Sequence, residues 1–565
     1  VPKGTWSLVT DIPIFAAGLA IFYSVILLAR YWSSPFSPEA DISHSPTALP
    51  LYTLYSVLRI AVAYFLSLAF TLVYGYIAAY NKKAERLMIP LLDILQSIPV
   101  LSFLPGVMLA MVSLFPTRQL GVELGAILLI FTGQVWNMAF SFYSSLKSIP
   151  KEMREAAKLY RFTGWQRFVQ MELPYAAIGL IWNSMMSVAG GWFFLMACEM
   201  FVLGTRDFRL PGLGSYLQTA SSAGDTKAIL WGLIAMISII VLLDQLVWRP
   251  VIAWAQKFKF EQVESVDVIT SPILHLLKRS RTLSGLNRRI TRPLSERLAL
   301  YFAHRKTTPA SLSQSHAKKW LTRIVATVVL AGIGFAVLDA FRLLATLQRT
   351  DFRDLGLGAG ATLLRVTCAL VIGTAWTVPV GVWMGFNPRL SRIAQPVAQI
   401  AASVPATALF PVVLLVLIRI GGGLGIGSIV LLLLGTQWYV LFNVIAGAIA
   451  IPTDLKEASE VFRFGTRERW RTLILPGIFP YLVTGLVTAG GGAWNASIVA
   501  EYFHFKGQTI STVGLGATIS RATDSGDFPL LLAATITMAV LVVTLNRTIW
   551  RPMYRLAESR FRLES

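Results

Sequence analysis

Glu155 and Glu457 stand in polar stretches of similar wording, each nineteen residues ahead of the proline in a Leu-Pro pair, Leu173-Pro174 and Leu475-Pro476. The first stretch runs Ser148-Ile149-Pro150-Lys151-Glu152-Met153-Arg154-Glu155-Ala156-Ala157-Lys158-Leu159-Tyr160-Arg161-Phe162-Thr163-Gly164. The second runs Ala450-Ile451-Pro452-Thr453-Asp454-Leu455-Lys456-Glu457-Ala458-Ser459-Glu460-Val461-Phe462-Arg463-Phe464-Gly465. In each, a proline opens a short helix, a turn follows, and a second amphipathic stretch leads onward. Small residues behind the glutamate let another surface approach closely. Charged groups beside Tyr160, Phe162, Phe462 and Phe464 suit docking into a groove on a soluble partner. The chemistry on offer is contact, not bond-making.

A second set of polar residues lies inside apolar runs: Gln96, Ser97, Gln134, Asn137, Asn183 and Glu199, then Gln399, Ser403, Gln437, Asn443, Asn495 and Glu501. Polar groups in such places are costly, so they are the candidates for a substrate pathway. No Gly-x-x-x-x-Gly-Lys-Ser/Thr phosphate cradle occurs, and no serine or cysteine triad signature. Cys198 and Cys368 sit apart in apolar stretches, with neither disulfide nor metal-ligand spacing. The expectation is a chain that is not an enzyme, with no metal site and no cofactor of its own.

The elements that must carry these residues are membrane helices. Of 565 residues 55% are hydrophobic and only 14% charged, and the mean hydropathy is +0.62. A soluble chain carries roughly 25% charged residues. The net charge of +21 reads as Lys- and Arg-rich cytoplasmic loops rather than as a nucleic-acid surface. No cleavable signal peptide is read, because the first apolar run continues too long and no small-residue cleavage site follows it.

The chain also matches itself. At a shift of 306, Leu58-Arg59 meets Leu364-Arg365, Gly75 meets Gly381, and Ser97-Ile98-Pro99 meets Ser403-Val404-Pro405. At a shift of 302, Trp136 meets Trp438, Glu199 meets Glu501, Gly212-Leu213-Gly214 meets Gly514-Leu515-Gly516, and Trp248-Arg249-Pro250 meets Trp550-Arg551-Pro552. Chance does not hold one register over so many Gly, Pro and Trp, so the chain is an internal duplication. The reading is two homologous repeats, 1–256 and 320–565, joined by a basic cytoplasmic linker at 257–319.

Each repeat offers six apolar segments near bilayer length. They lie at 12–32, 52–80, 99–115, 121–146, 175–203 and 228–256, then at 320–347, 358–386, 405–420, 424–450, 475–503 and 527–550. Helix is the spanning structure, because an open sheet leaves its backbone unsatisfied in lipid. The expected fold is therefore an all-α integral membrane protein of about twelve spans. The loop 33–50 has no Lys or Arg, whereas the next carries Lys82, Lys83 and Arg86, and the loop after the fourth span carries Lys147, Lys151, Arg154, Lys158, Arg161 and Arg167. That alternation puts both termini and both Glu-bearing loops in the cytoplasm. An even number of spans per repeat makes the repeats parallel, an arrangement that secondary carriers also use.

The paired loop resembles the Glu-Ala-Ala loop of bacterial ABC-importer permeases, the type I membrane subunits. The Ser-x-Pro step before the third span makes it most similar to the nitrate, sulfonate and taurine group. The resemblance covers nearly all of both repeats. It implies a type I importer permease in a bacterial inner membrane, with coupling helices seated on two copies of an ATPase that uses ATP and Mg. It also implies an extracytoplasmic substrate-binding protein and a small anion such as nitrate, a sulfonate or bicarbonate; nucleic acid is not an expected partner. Carried over, Glu155, Ala156 and Ala157 are the contact residues of one repeat, and Glu457, Ala458 and Ser459 those of the other. The family's glycine falls at Arg161 and Arg463, with glycines later at Gly164 and Gly465, which suggests a shifted turn. For Glu199 and Glu501 two readings stand. They line an outer gate, or they are buried partners of an arginine or of backbone groups; the second is favoured, since glutamate repels small anions.

Overall fold

The computed structural model describes residues 42–203, 206–258, 338–387, 404–419, 423–505 and 508–560, with isolated positions in 272–335 and 389–402. The expected first span, 12–32, lies outside the described residues, as do Gln399, Ser403, nearly all of the linker and much of 320–347.

Among the described residues, eight helices are long and apolar enough to cross a bilayer. In the first repeat they are Pro46–Tyr80, Leu120–Ser148, Gly164–Glu199 and Thr226–Ala255; in the second, Arg349–Phe386, Leu424–Ala450, Thr466–Ala500 and Phe528–Ala557. Among the described residues the fold is all-α apart from two small hairpins. In each repeat the span that precedes the Glu-bearing loop packs against the spans on either side of it. Leu120–Ser148 contacts Leu49–Tyr80 and Leu173–Glu199, and Leu424–Ala450 contacts Arg349–Phe386 and Leu475–Ala500.

The expected spans at 99–115 and 405–420 are apolar helices, but short ones. Val100–Leu114 and Ala406–Arg419, at 1.5 Å per residue, reach roughly 21–25 Å against a hydrocarbon core of about 30 Å. They fill the interface between repeats instead. The Leu101 amide donates to Asn495 Oδ1 at 3.4 Å, and the Thr535 hydroxyl donates to the Ser102 carbonyl at 3.2 Å.

Proline placement explains why four spans continue where the sequence suggests a break. Immediately before Pro174, Pro250, Pro476 and Pro552 lies a wide helical turn: Phe168–Glu172, Asp244–Trp248, Trp470–Ile474 and Asn546–Trp550. The residue ahead of each proline bonds five positions back, for example Leu173 to the Phe168 carbonyl and Arg551 to that of Asn546. A proline in a regular helix loses one bond and presses its ring on the carbonyl four residues earlier. The wide turn relieves that contact. The Leu-Pro and Arg-Pro pairs thus mark bulged continuous helices.

The fifth spans end earlier than the expected 203 and 503. Their helices stop at Glu199 and Ala500, and antiparallel hairpins follow, Val202–Leu203 with Arg206–Asp207 and Tyr502–Phe505 with Gln508–Ser511. The second hairpin has a local signal, the alternating Phe503-His504-Phe505 ahead of Lys506-Gly507, which the apolar run of the span masks.

Candidate functional site: paired cytoplasmic loops and the cavities between repeats

Each Glu-bearing loop is a nine-residue helix, Lys151–Leu159 and Thr453–Val461, begun by Pro150 and Pro452. The first is held from beneath. Ile149, Ala157 and Met171 are buried in a cluster with Phe142 and Leu146 from the preceding span, and Arg154 donates to the Leu146 carbonyl at 2.8 Å. Behind it, Arg167 meets the buried Glu172 carboxylate at 2.7 Å. The second loop is fixed by Lys456, whose ammonium lies 4.8 Å from the centre of the Phe386 ring. Burial, then the charge of Arg469, holds that ammonium below its ordinary pKa.

The helical turn sorts the carried-over contact residues. Glu155, Ala156 and Glu457 are exposed and Ala458 is half-buried, as a docking face requires. Ala157 and Ser459 are not on that face: they are 5% and 4% exposed, and the Ser459 hydroxyl donates to the Lys456 carbonyl of its own helix. Residues two apart on a helix point about 200° from one another, so Glu and the second small residue cannot share a face. Ala157 and Ser459 belong to the loop's footing.

The expected shifted turn is corrected. Both loop helices close in a turn whose left-handed position, two residues past the last helical one, is an arginine. Arg161 and Arg463 have φ of 52° and 50°, and among the described residues they are the two non-glycine positions with left-handed backbone. The Arg161 amide bonds the Lys158 carbonyl and the Phe162 amide bonds that of Ala157; Arg463 and Phe464 repeat the pattern on Glu460 and Ser459. This is the usual helix-ending turn, whose left-handed position favours glycine. Arginine there costs about 1–2 kcal/mol. Gly164 and Gly465 do not make the turn; they begin the next helical segment, Gly164 as its first residue and Gly465 as its cap.

Glu199 and Glu501 face neither cavity described below. Glu199 is fully buried, and its carboxylate accepts from Ser56 Oγ at 2.7 Å, Arg59 Nη1 at 2.7 Å and the Gly214 amide at 2.7 Å. Glu501 accepts from Thr362 Oγ1 at 2.8 Å, Arg365 Nη1 at 2.9 Å and the Gly516 amide at 2.9 Å. Of the two readings, the geometry is that of the buried partner. A side chain on Gly212 or Gly514 would collide with the carboxylate, which is why Gly-Leu-Gly recurs at both places. The networks tie the first described span of each repeat to the end of its Glu-bearing span. They differ in one respect the sequence reading missed: Arg59 also makes a two-pronged pair with Glu123, at 2.6 and 2.8 Å.

Two cavities lie along the interface between the repeats. One, of about 540 Å³, runs beside the middle of the Leu173–Glu199 helix. Its wall includes Trp192, Phe194, Trp438, Tyr439, Asn443 and Asn495. The other, of about 530 Å³, lies at that helix's far end, bounded by Leu101, Phe201, Arg209, Gln218, Tyr502 and Asp524. Leu101 lines one and Asn495 the other, so their hydrogen bond stands between the two chambers. Of the sequence candidates, Asn443 and Asn495 line a cavity. Gln134 is buried against Gly191, Gln437 accepts from Trp376 at 3.2 Å, Asn183 donates to Ser141 at 3.0 Å, Asn137 is half-buried and Gln96 exposed. Ser97 has no described side chain. Trp438, with its repeat partner Trp136, is legible in the sequence as a gate aromatic, although packing is the favoured reading there; Trp192, Phe194 and Tyr439 carry no signal that separates them from packing.

Comparison with known proteins bears on the whole arrangement. Residues 71–247 and 377–562 each match the model of a binding-protein-dependent transport system inner membrane component. The chain is similar to the nitrate import permease protein NrtB of Synechocystis, 24% identical over 197 residues, covering 35% of this chain and 68% of the relative. It is 28% identical to the bicarbonate transport system permease protein CmpB of Synechococcus elongatus over 25% of this chain and 49% of that relative. It is 27% identical to the taurine transport system permease protein TauC of Escherichia coli over 33% and 64%.

Proposed function

The chain belongs to the family of binding-protein-dependent transport system inner membrane components, matched once in each half, and from that premise we propose that it supplies both membrane halves of one ATP-driven importer. Two ATPase subunits dock beneath it, one on each loop helix, and their closure switches the interface chambers from one side of the membrane to the other. The observation that carries the reading is the pair of loop helices, alike in geometry and each presenting an exposed glutamate on a buried footing.

The chain's own residues divide the work. Glu155 and Glu457 meet the ATPases, and Ala157 and Ser459 pass movement of the loop helix into the spans on which they pack. Asn443 and Asn495 offer amides to a passing solute within a chamber whose wall also holds Asp244 and Tyr439. A binding protein outside delivers that solute, of the small-anion kind named for the relatives.

Two measurements test the assembly. Native mass measurement of the purified complex is expected to show one permease with two ATPases, and the permease alone is expected to hydrolyse no ATP. A single bound ATPase under mild detergent would count against two equivalent docking loops.

Orientation follows from the basic loops. A cysteine placed at Ser43 is expected to react with a membrane-impermeant reagent added outside, and one placed at Arg288 to be protected until the membrane is opened. The reverse pattern would put the loop helices on the wrong side for ATP-driven coupling.

A further inference from the structure

We infer that Arg161 and Arg463 are the partner-selecting residues of the two loops, each seating its guanidinium in a carboxylate-lined recess beside the docking cleft of an ATPase subunit. The inference rests on the importer reading above and adds which residues choose the partner and what chemistry they choose.

The starting point is strain that no side-chain contact of either arginine repays among the described residues. Both arginines hold left-handed backbone, at φ 52° and 50°, a conformation that glycine adopts freely and that other residues retain mainly where the surroundings demand it. Both side chains are exposed, and neither makes a hydrogen bond or ion pair within the described residues. Yet the two repeats, otherwise unlike at many loop positions, keep the same residue at the same turn.

The surroundings name the kind of acceptor. Each arginine lies between exposed aromatics, with Tyr160 74% and Phe462 73% exposed beside Phe162 and Phe464. Leu159 and Val461 extend the apolar tip. Arginine among aromatic residues is the composition of interface hot spots. Two backbone hydrogen bonds fix the turn, so the side chain leaves in one set direction in both copies. A lipid headgroup accepts a guanidinium from any direction and needs no such fixing. A folded partner does need it, and a carboxylate answers the planar fork with two parallel bonds.

The test uses the full chain with its cognate ATPase, comparing wild type with Arg161→Gly/Arg463→Gly and Arg161→Lys/Arg463→Lys. The glycine pair is expected to bind the ATPase at least tenfold more weakly, the lysine pair to fall between, and thermal unfolding of the glycine pair to be no lower than wild type. The last result separates lost contact from lost fold, because glycine relieves the turn. Glycine variants that bind within twofold of wild type would overturn the inference. So would unchanged ATPase affinity together with weakened binding to phosphatidylglycerol-containing vesicles, which would assign the arginines to lipid. If wild type itself binds no ATPase, the importer reading fails first and takes this inference with it.

Discussion

A chain carrying Glu155→Ala and Glu457→Ala together is expected to lose ATP-driven uptake in proteoliposomes while remaining folded and membrane-inserted. Both carboxylates are exposed on their loop helices, and neither has a hydrogen-bond or ion-pair partner among the described residues, so truncation removes no internal support. A hydrogen bond to a charged group contributes about 1.5–3 kcal/mol, or roughly ten- to a hundredfold in association per loop. Each single variant is expected to retain partial coupling. The two singles should weaken coupling to similar extents. Ala157 and Ser459, one of the neighbouring pairs that differ between loops, are buried away from the exposed face. Uptake and ATPase turnover would be measured side by side with the thermal midpoint. Full coupled transport in the double variant would remove the basis for the docking assignment and favour a carrier driven by an ion gradient.

Replacing Arg59 is expected to damage the fold itself. Its guanidinium is 1% exposed and holds two fully buried carboxylates, Glu123 and Glu199, as well as the Pro211 carbonyl at 2.9 Å. Arg59→Met leaves both carboxylates without their counter-charge, a loss of about 3–5 kcal/mol for a broken buried pair. Arg365→Met is expected to cost less, because Arg365 is 12% exposed and faces the one carboxylate of Glu501. Thermal unfolding in detergent and yield of folded protein would read both. Adding Glu123→Gln and Glu199→Gln to Arg59→Met is expected to recover part of the loss, since neutral amides tolerate burial better than orphaned charges. An Arg59→Met chain as stable as wild type would show that the network does not fasten the repeat.

The loops show how far residue patterns carried the site. Their pairing, their proline starts and their glutamates were legible, because a helix start and a repeated register are local properties. Which small residue faced outward was not. That depends on helical phase against a footing made of Phe142, Leu146 and Met171, contributed by neighbouring segments. The turn was misplaced because glycine is the ordinary occupant of left-handed backbone, and Gly164 and Gly465 stood close by to suggest it. The backbone instead turns at arginine, at the position the helix length dictates.

By itself the sequence determined the solvent and the duplication, for these follow from composition and from a self-match at fixed register. The positions of the paired loops came with them. Only the tertiary structure decided the fate of the polar residues inside the spans. Glu199 became an ion-pair partner because Arg59, 140 residues earlier, packs beside it. Asn495 became a chamber wall because the short Val100–Leu114 stretch reaches across from the other repeat. A lone polar residue in an apolar run carries the same local signal in either role, and what distinguishes them is the distant group the fold places opposite it.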